Sequence, residues 1–294
     1  MLKTLFSLIF IFGSASVYAA TPACTVNADG EVTNNIVAGG NNCYVTPDFA
    51  YLPVYKVGIC STTPTYNNYL TECSFLYDSS TATEVEVVKG QASKLVGDIT
   101  LTEGSYQASV LLLGTTIAYK HTQTFSTAQT GSNSSNNDTT GTTCVSRTAS
   151  GNEDDLTSSG GNIDGFYECG NNTLIAGKFT ESSGAYDDTT TTCQINNGVV
   201  ERSTNSGNLE FTTSSGSTVM CGMSDASTLE AFSNGNSNKT KVLAIQTFTN
   251  PVKISPTTTS LEIGLKVTDM LGLENHGGYY NAFLDGVELK VTAQ

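Results

Sequence analysis

YKVGICSTTPTYNNYLTECSFLYD, residues 55–78, sets two apolar runs on either side of a polar loop; Cys60 closes the first run and Cys73 opens the second. Both runs have strand composition. In VYKVGI, Tyr55, Val57 and Ile59 alternate with Val54, Lys56 and Gly58, which predicts a strand with the first set facing a core. If the runs pair as strands, the loop ends meet, and a Cys60–Cys73 bridge locks the approach. Closing a loop of this size is worth ~3 kcal/mol through the entropy of the unfolded chain. A redox role would need a thiolate stabilised by a neighbouring base or a helix N-terminus, and a zinc site would need the short cysteine spacing of a knuckle. Neither surrounds these residues, so the stretch reads as a stapled β pair.

The same reading extends to the other cysteines. All eight, Cys24, Cys43, Cys60, Cys73, Cys144, Cys169, Cys193 and Cys221, are expected in disulfides, since their number is even and none stands two residues from another. Cys24 and Cys43 bracket a segment with a turn at Asp29-Gly30 and are expected to close it locally. The pairing among Cys144, Cys169, Cys193 and Cys221 is left open by the spacing.

Disulfides require an oxidising compartment, and the N-terminus supplies the route. MLKTLFSLIFIFGSASVYAA has one basic residue, Lys3, an apolar run from Leu5 to Phe12, a breaker at Gly13 and small residues ahead of a cleavage point after Ala19. That layout is a secretory signal peptide, too short to span the ~20 residues a bilayer demands. The expected location is outside the cytoplasm: extracellular, at the cell surface or in the periplasm.

The formal net charge is −14, and one of the few positive charges, Lys3, leaves with the leader. Such a surface repels nucleic acid and anionic lipid and keeps an exported chain soluble. Serine and threonine make up roughly a quarter of the chain, tryptophan is absent, and β-branched residues outnumber helix formers. The fold class expected is all-β: a disulfide-stapled β-sandwich, immunoglobulin-like or jelly-roll-like, with long polar loops, or else two packed β domains.

Along the chain this gives a signal peptide over 1–19 and an N-terminal sandwich region over 20–128. A disulfide-pinned β segment or insertion, rich in Ser, Thr, Gly and Asn, follows over 129–240, and C-terminal strands over 241–294 complete a sandwich. In the first region SFLYD, TEVEVV, SYQASVLLL and TIAYKHTQTF are short strands separated by turn formers, and Tyr106 is expected at a sandwich corner. In the last, Leu261, Ile263, Leu265 and Val267 alternate with small or charged residues. Asp285-Gly286 is the strongest hairpin signal, because a type I′ turn needs positive φ at both central residues. It predicts that Val287–Thr292 folds back on Asn281–Leu284, with its apolar face in the core that holds Leu261, Ile263 and Leu265.

Residues that could carry chemistry are few. His121 and His276 stand far from any nucleophile-elbow sequence and are expected on surface strands or loops. A carboxylate pair is the minimal equipment of a glycoside hydrolase, and Glu84, Glu86, Glu103 and Glu262 are candidates. The missing tryptophan leaves only tyrosines such as Tyr279 and Tyr280 to stack on a sugar. GNEDDLTSSGGNIDG offers hard oxygen ligands in a glycine-rich loop, so Asp154, Asp155 and Asp164 are candidate calcium ligands. Their spacing is not that of an EF-hand, and a solvated acidic loop accounts for the same residues.

The sequence therefore predicts an exported, non-enzymatic structural or adhesive β-protein of the cell surface or extracellular space. Its expected partners are further copies of itself or other surface proteins, with no nucleic acid. The first alternative is a calcium-dependent carbohydrate-binding module that contacts glycans, with calcium as its only cofactor. The second is a glycoside hydrolase-like enzyme with a carboxylate pair.

Overall fold

The computed structural model describes residues 23–36, 43–64, 69–91, 93–94, 102–132, 138–151, 167–181, 193–196, 199–202, 210–212, 216–223, 241–258, 261–269, 271–276, 278–284 and 287–293. From 193 to 223 the description is of the backbone. Among these residues the only helix is a single turn, α1 (Tyr69–Glu72), and everything else regular is strand.

The first half holds β1 (Cys43–Val45), β2 (Phe49–Cys60), β3 (Cys73–Val88), β4 (Ser93–Lys94), β5 (Gly104–Gly114), β6 (Ile117–Lys120) and β7 (Thr122–Ser132). The middle adds β8 (Asp138–Ser146), β9 (Ala149–Gly151), β10 (Tyr167–Gly170), β11 (Phe179–Glu181), β12 (Cys193–Asn196), β13 (Val199–Arg202), β14 (Glu210–Thr212) and β15 (Gly216–Met223). Last come β16 (Lys241–Ile254), β17 (Leu261–Lys266), β18 (Leu271–His276), β19 (Tyr279–Leu284) and β20 (Glu288–Ala293).

A nine-stranded sheet in the order β14-β15-β16-β5-β2-β6-β11-β9, with β3 also on β2, forms the body of the molecule. Three smaller sheets, β1-β18-β19, β10-β8-β7 and β20-β17-β4, share its hydrophobic core, and β12 and β13 pair with each other. The protein is thus all-β, built of several packed sheets and cross-linked by disulfides.

The large sheet forms where sequence alternation is cleanest. On β2, Ala50, Leu52 and Val54 are buried inward, opposite Val87, Val85 and Thr83 of β3, while Phe49, Tyr51 and Pro53 face Val88, Glu86 and Glu84. The far edge of β2 changes partner along its length: residues 49–51 pair with β6 and the stretch from Val54 to Cys60 with β5. Pro53, which has no N–H to give a ladder, sits at that handover. The register then skips at Tyr55 on both sides of β2: 79–82 of β3 lie opposite it, and against β5 it is the extra residue between Val54↔Leu113 and Lys56↔Leu112, a bulge in β2 itself. The bulge shifts the phase of the strand, so Val54, Val57 and Ile59 are all fully buried. This corrects two expectations: Val54, read as facing away from the core, is buried in it, and Tyr55 is only half-buried and lies beside the outer-face residue Pro53 rather than with Val57 and Ile59. On β5 the run Ala108–Gly114 is buried on both faces, as befits a central strand.

Cys24 bonds Cys43 and Cys60 bonds Cys73, the two local pairs read from the spacing, and Cys144 bonds Cys169. Cys60 and Cys73 are directly opposite on β2 and β3, as are Cys144 and Cys169 on β8 and β10. Their Cα separations of 4.1 and 4.0 Å are those of the narrow, non-hydrogen-bonded type of antiparallel pair. The side chains of Cys193 and Cys221 lie outside the described residues. The Cys24–Cys43 bond anchors a small N-terminal turn in which Gly30 takes φ 79° and Asn27 Oδ1 accepts from the amides of Asp29 and Glu31. Beyond it Val32 donates to Thr124 O and accepts from Ser126 N, which ties this segment to β7.

The tail departs from the sequence expectation. β19 pairs with β18, from Leu271↔Leu284 to His276↔Tyr279, and β20 pairs with β17, from Lys266↔Glu288 to Leu261↔Ala293. The strands on either side of Asp285-Gly286 therefore belong to different sheets and form no hairpin; the turn itself lies outside the described residues. The pairing that does form sets Leu289 opposite Leu265 and Val291 opposite Ile263, so the predicted core is shared although the predicted ladder is not. Burying several apolar side chains outweighs a favourable turn dipeptide. Strands β14 and β15, drawn from the polar middle of the chain, extend the large sheet beyond β16.

Candidate functional surface

The outer face of the large sheet gathers most of the chemistry visible among the described side chains. Tyr51 points outward from β2 opposite Glu86, and on its other side pairs with Ala118 of β6. Lys178 precedes β11, whose Thr180 pairs with Ala118. Because Ala118 is small, the lysine can lie across β6: its Nζ stands 4.0 Å from the centre of the Tyr51 ring and 2.9 Å from both carboxylate oxygens of Glu84. Burial first, then the charge of Glu86 and its hydrogen bond to the phenol, and lastly the charge of Glu84, raise the Tyr51 hydroxyl above its ordinary range. The phenol stays protonated and donates to Glu86.

The arrangement repeats along the sheet. Lys241 of β16 pairs with Gly114 of β5, the other very small residue, and its Nζ lies 4.4 Å from the Tyr55 ring on β2. Gly114 cannot be enlarged, since a Cβ there would stand 2.9 Å from Pro53 Cγ. Lys120 lies 5.7 Å over Phe49, and Lys56 lies 5.3 Å over Phe75 while pairing with Asp78. Each contact contributes about 0.5–1 kcal/mol at such exposure. A row of rings on a sheet face would offer a stacking platform to a sugar, but here each ring is capped by a lysine of the same chain.

Of the four carboxylate candidates only two come together: Glu84 and Glu86 share a face of β3 beside Tyr51 and are engaged by Lys178 and Tyr51, whereas Glu103 is exposed ahead of β5 and Glu262 lies on β17 in another sheet. Asp154, Asp155 and Asp164 lie outside the described residues, as do Glu153 and Asn162. Among the described residues no group of three or more His, Cys, Asp or Glu is placed to hold a metal ion.

His121 contradicts its expected surface position. It is fully buried, neither ring nitrogen has a hydrogen-bond partner among the described residues, and burial together with the charge of Lys89 lowers its pKa to about 3. His276 is on β18, with its side chain outside the described residues. Tyr280, named for stacking, is buried too: its ring packs edge-on against Phe125 and Tyr167, and burial raises its hydroxyl pKa. Tyr119, Tyr167 and Phe179 complete this internal aromatic cluster, in which the Tyr119 and Tyr167 hydroxyls meet at 2.6 Å and both lie within hydrogen-bond reach of Ala282 O; with one proton each, one hydroxyl donates to the carbonyl and the other to its neighbour's oxygen. Tyr106 is buried on β5, and its hydroxyl donates 2.8 Å back to Thr102 O.

Sequence reasoning missed Lys178, whose partner Glu84 is 94 residues away. The alternation in FAYLP does mark Phe49 and Tyr51 as one face, but nothing local names the lysine that caps them. Compared with models of protein families, with curated proteins and with solved structures, the chain matches none.

Proposed function

We propose that the mature chain is an exported, non-enzymatic structural or adhesive protein of the cell surface or extracellular space. The observation that carries this reading is how the strands are fastened: two disulfides join directly opposed residues, and a third anchors the N-terminal segment to β1. Such bonds persist in an oxidising compartment, where a load-bearing or exposed module gains most from them. The leader at residues 1–19 provides the export route. The use of the outer-face carboxylates and rings as internal contacts also favours a scaffold over a catalyst or an open sugar platform.

The test is the solution behaviour of the mature protein with its disulfides intact. A surface subunit that assembles is expected to give species several times the mass of one mature chain by light scattering, with no calcium-dependent retention on immobilised glycans. A strict monomer retained on glycans only with calcium would favour the carbohydrate-binding alternative. Turnover of aryl glycosides, abolished in Glu84→Gln or Glu86→Gln, would favour the enzyme.

A further inference from the structure

His121 is the single residue between β6 in the large sheet and β7 in the β10-β8-β7 sheet, so the chain changes sheets at this point. Its backbone is clamped. The amide donates to Ser146 Oγ at 2.9 Å and the carbonyl accepts from Ser146 N at 2.9 Å. Ser146 Oγ in turn donates to Gly177 O at 2.7 Å, and Gly177 N donates to Ser146 O at 2.7 Å. The packing here leaves no slack, since a Cβ on Gly177 would stand 2.2 Å from Thr148 N. The imidazole at the centre of this junction is fully buried, and among the described residues neither nitrogen has a partner.

A neutral imidazole has one donor and one acceptor, and both are unsatisfied here; an imidazolium would have two donors and a charge with nowhere to place them. The charged groups on the surrounding elements are engaged elsewhere. Lys120 of β6 lies over Phe49, Arg147 beyond β8 pairs with Glu168 of β10, and Lys178 ahead of β11 pairs with Glu84. Lys89, after β3, stands 3.7 Å from Asp48, and its positive charge is the one that opposes protonation of the ring. None of these groups offers a carboxylate to the ring.

We propose that His121 is an acid-sensitive latch: when its ring takes up a proton, the His121–Ser146–Gly177 junction opens and the β10-β8-β7 sheet loosens from the large sheet. In the closed state the ring holds its proton only below a pH of about 3, whereas an opened, hydrated ring returns to 6.5. The open state therefore binds more protons at every pH between these limits. Closed-state stability is complete above 6.5, is lost as pH falls through this window, and changes no further below about 3. A device of this kind would let an exported module change shape on entering an acidic environment.

The experiment measures amide hydrogen exchange in the full mature chain from pH 7.5 to 4, corrected for the intrinsic pH dependence of exchange. The wild type is compared with His121→Phe and His276→Gln. Relative to His121→Phe, the open population at the amides of His121, Ser146 and Gly177 should rise about tenfold per pH unit below 6.5 in both the wild type and His276→Gln. An equal slope in His121→Phe, or loss of the slope in His276→Gln, would overturn the latch. Should His121→Phe fail to fold, ring 15N shifts of the wild type decide the matter. His121 should remain neutral at pH 5 wherever the junction amides stay protected, and titration near 6.5 with those amides still protected would overturn the proposal.

Discussion

The β2–β3 pair and the β17–β20 pair are both antiparallel ladders with buried residues on one face, but they are fastened in opposite ways. β2 and β3 follow each other in the chain and are closed by Cys60–Cys73 at a sequence separation of 13. β17 and β20 are separated by β18 and β19, which belong to another sheet, and no disulfide joins them; Lys266 and Glu288 form an ion pair across the ladder at 3.8 Å. Further fastening comes from outside the pair. Gln246 of β16, almost fully buried, donates through Nε2 to Leu289 O and accepts from Leu289 N through Oε1, both at 2.9 Å. Its side-chain amide thus serves β20 as a strand neighbour would. The β2–β3 pair, consecutive strands, is fastened by a covalent staple; the β17–β20 pair, remote in sequence, is fastened by burial, one ion pair and one buried amide.

The largest expected effect comes from removing the remote partner. Deleting residues 288–294 strips Leu289 and Val291 from the core, uncovers Leu265 and Ile263, and leaves Gln246 without its partner. The loss should exceed about 5 kcal/mol, comparable to the whole stability of a domain, so the truncated chain should be recovered unfolded or aggregated. An unaltered melting temperature would mean that β20 is peripheral. Replacing Cys60 and Cys73 together by serine should lower the unfolding free energy in denaturant by about 3 kcal/mol while leaving the large sheet native by circular dichroism. A smaller loss than that from Gln246→Leu would reverse the comparison. Gln246→Leu itself should cost about 2 kcal/mol, because the N–H and C=O of Leu289 would remain buried without partners.

How much of this was legible in the sequence follows the same division. The inward alternation of Val57 and Ile59, the paired cysteines at 60 and 73, and the turn at Asp29-Gly30 are local patterns, and each could be read from neighbours in the chain. Val54 and Tyr55 were exchanged between faces because the ladders of β2 with both β3 and β5 slip at Tyr55, which one strand's alternation cannot show. Asp285-Gly286 carries real turn chemistry but says nothing about which ladders its flanking strands join, and the choice fell to the match of Leu289 and Val291 with Leu265 and Ile263. His121 was placed at the surface because a histidine's burial is set by the sheets that close around it. The Lys178–Tyr51–Glu84 contact was invisible for the same reason. The disulfide of Cys144 with Cys169 emerged only when β8 and β10 were seen to pair.

Three covalent staples, two at directly opposed strand residues and one at the N-terminal segment, are central to how this chain is fastened. Peptide mapping of the protein under non-reducing conditions tests this most directly. The account expects Cys24–Cys43, Cys60–Cys73 and Cys144–Cys169, with Cys193 and Cys221 forming the fourth bond because every other cysteine is taken, and no free thiol. Recovery of reduced Cys60 and Cys73, or of either joined to a cysteine in the 144–221 region, would contradict it.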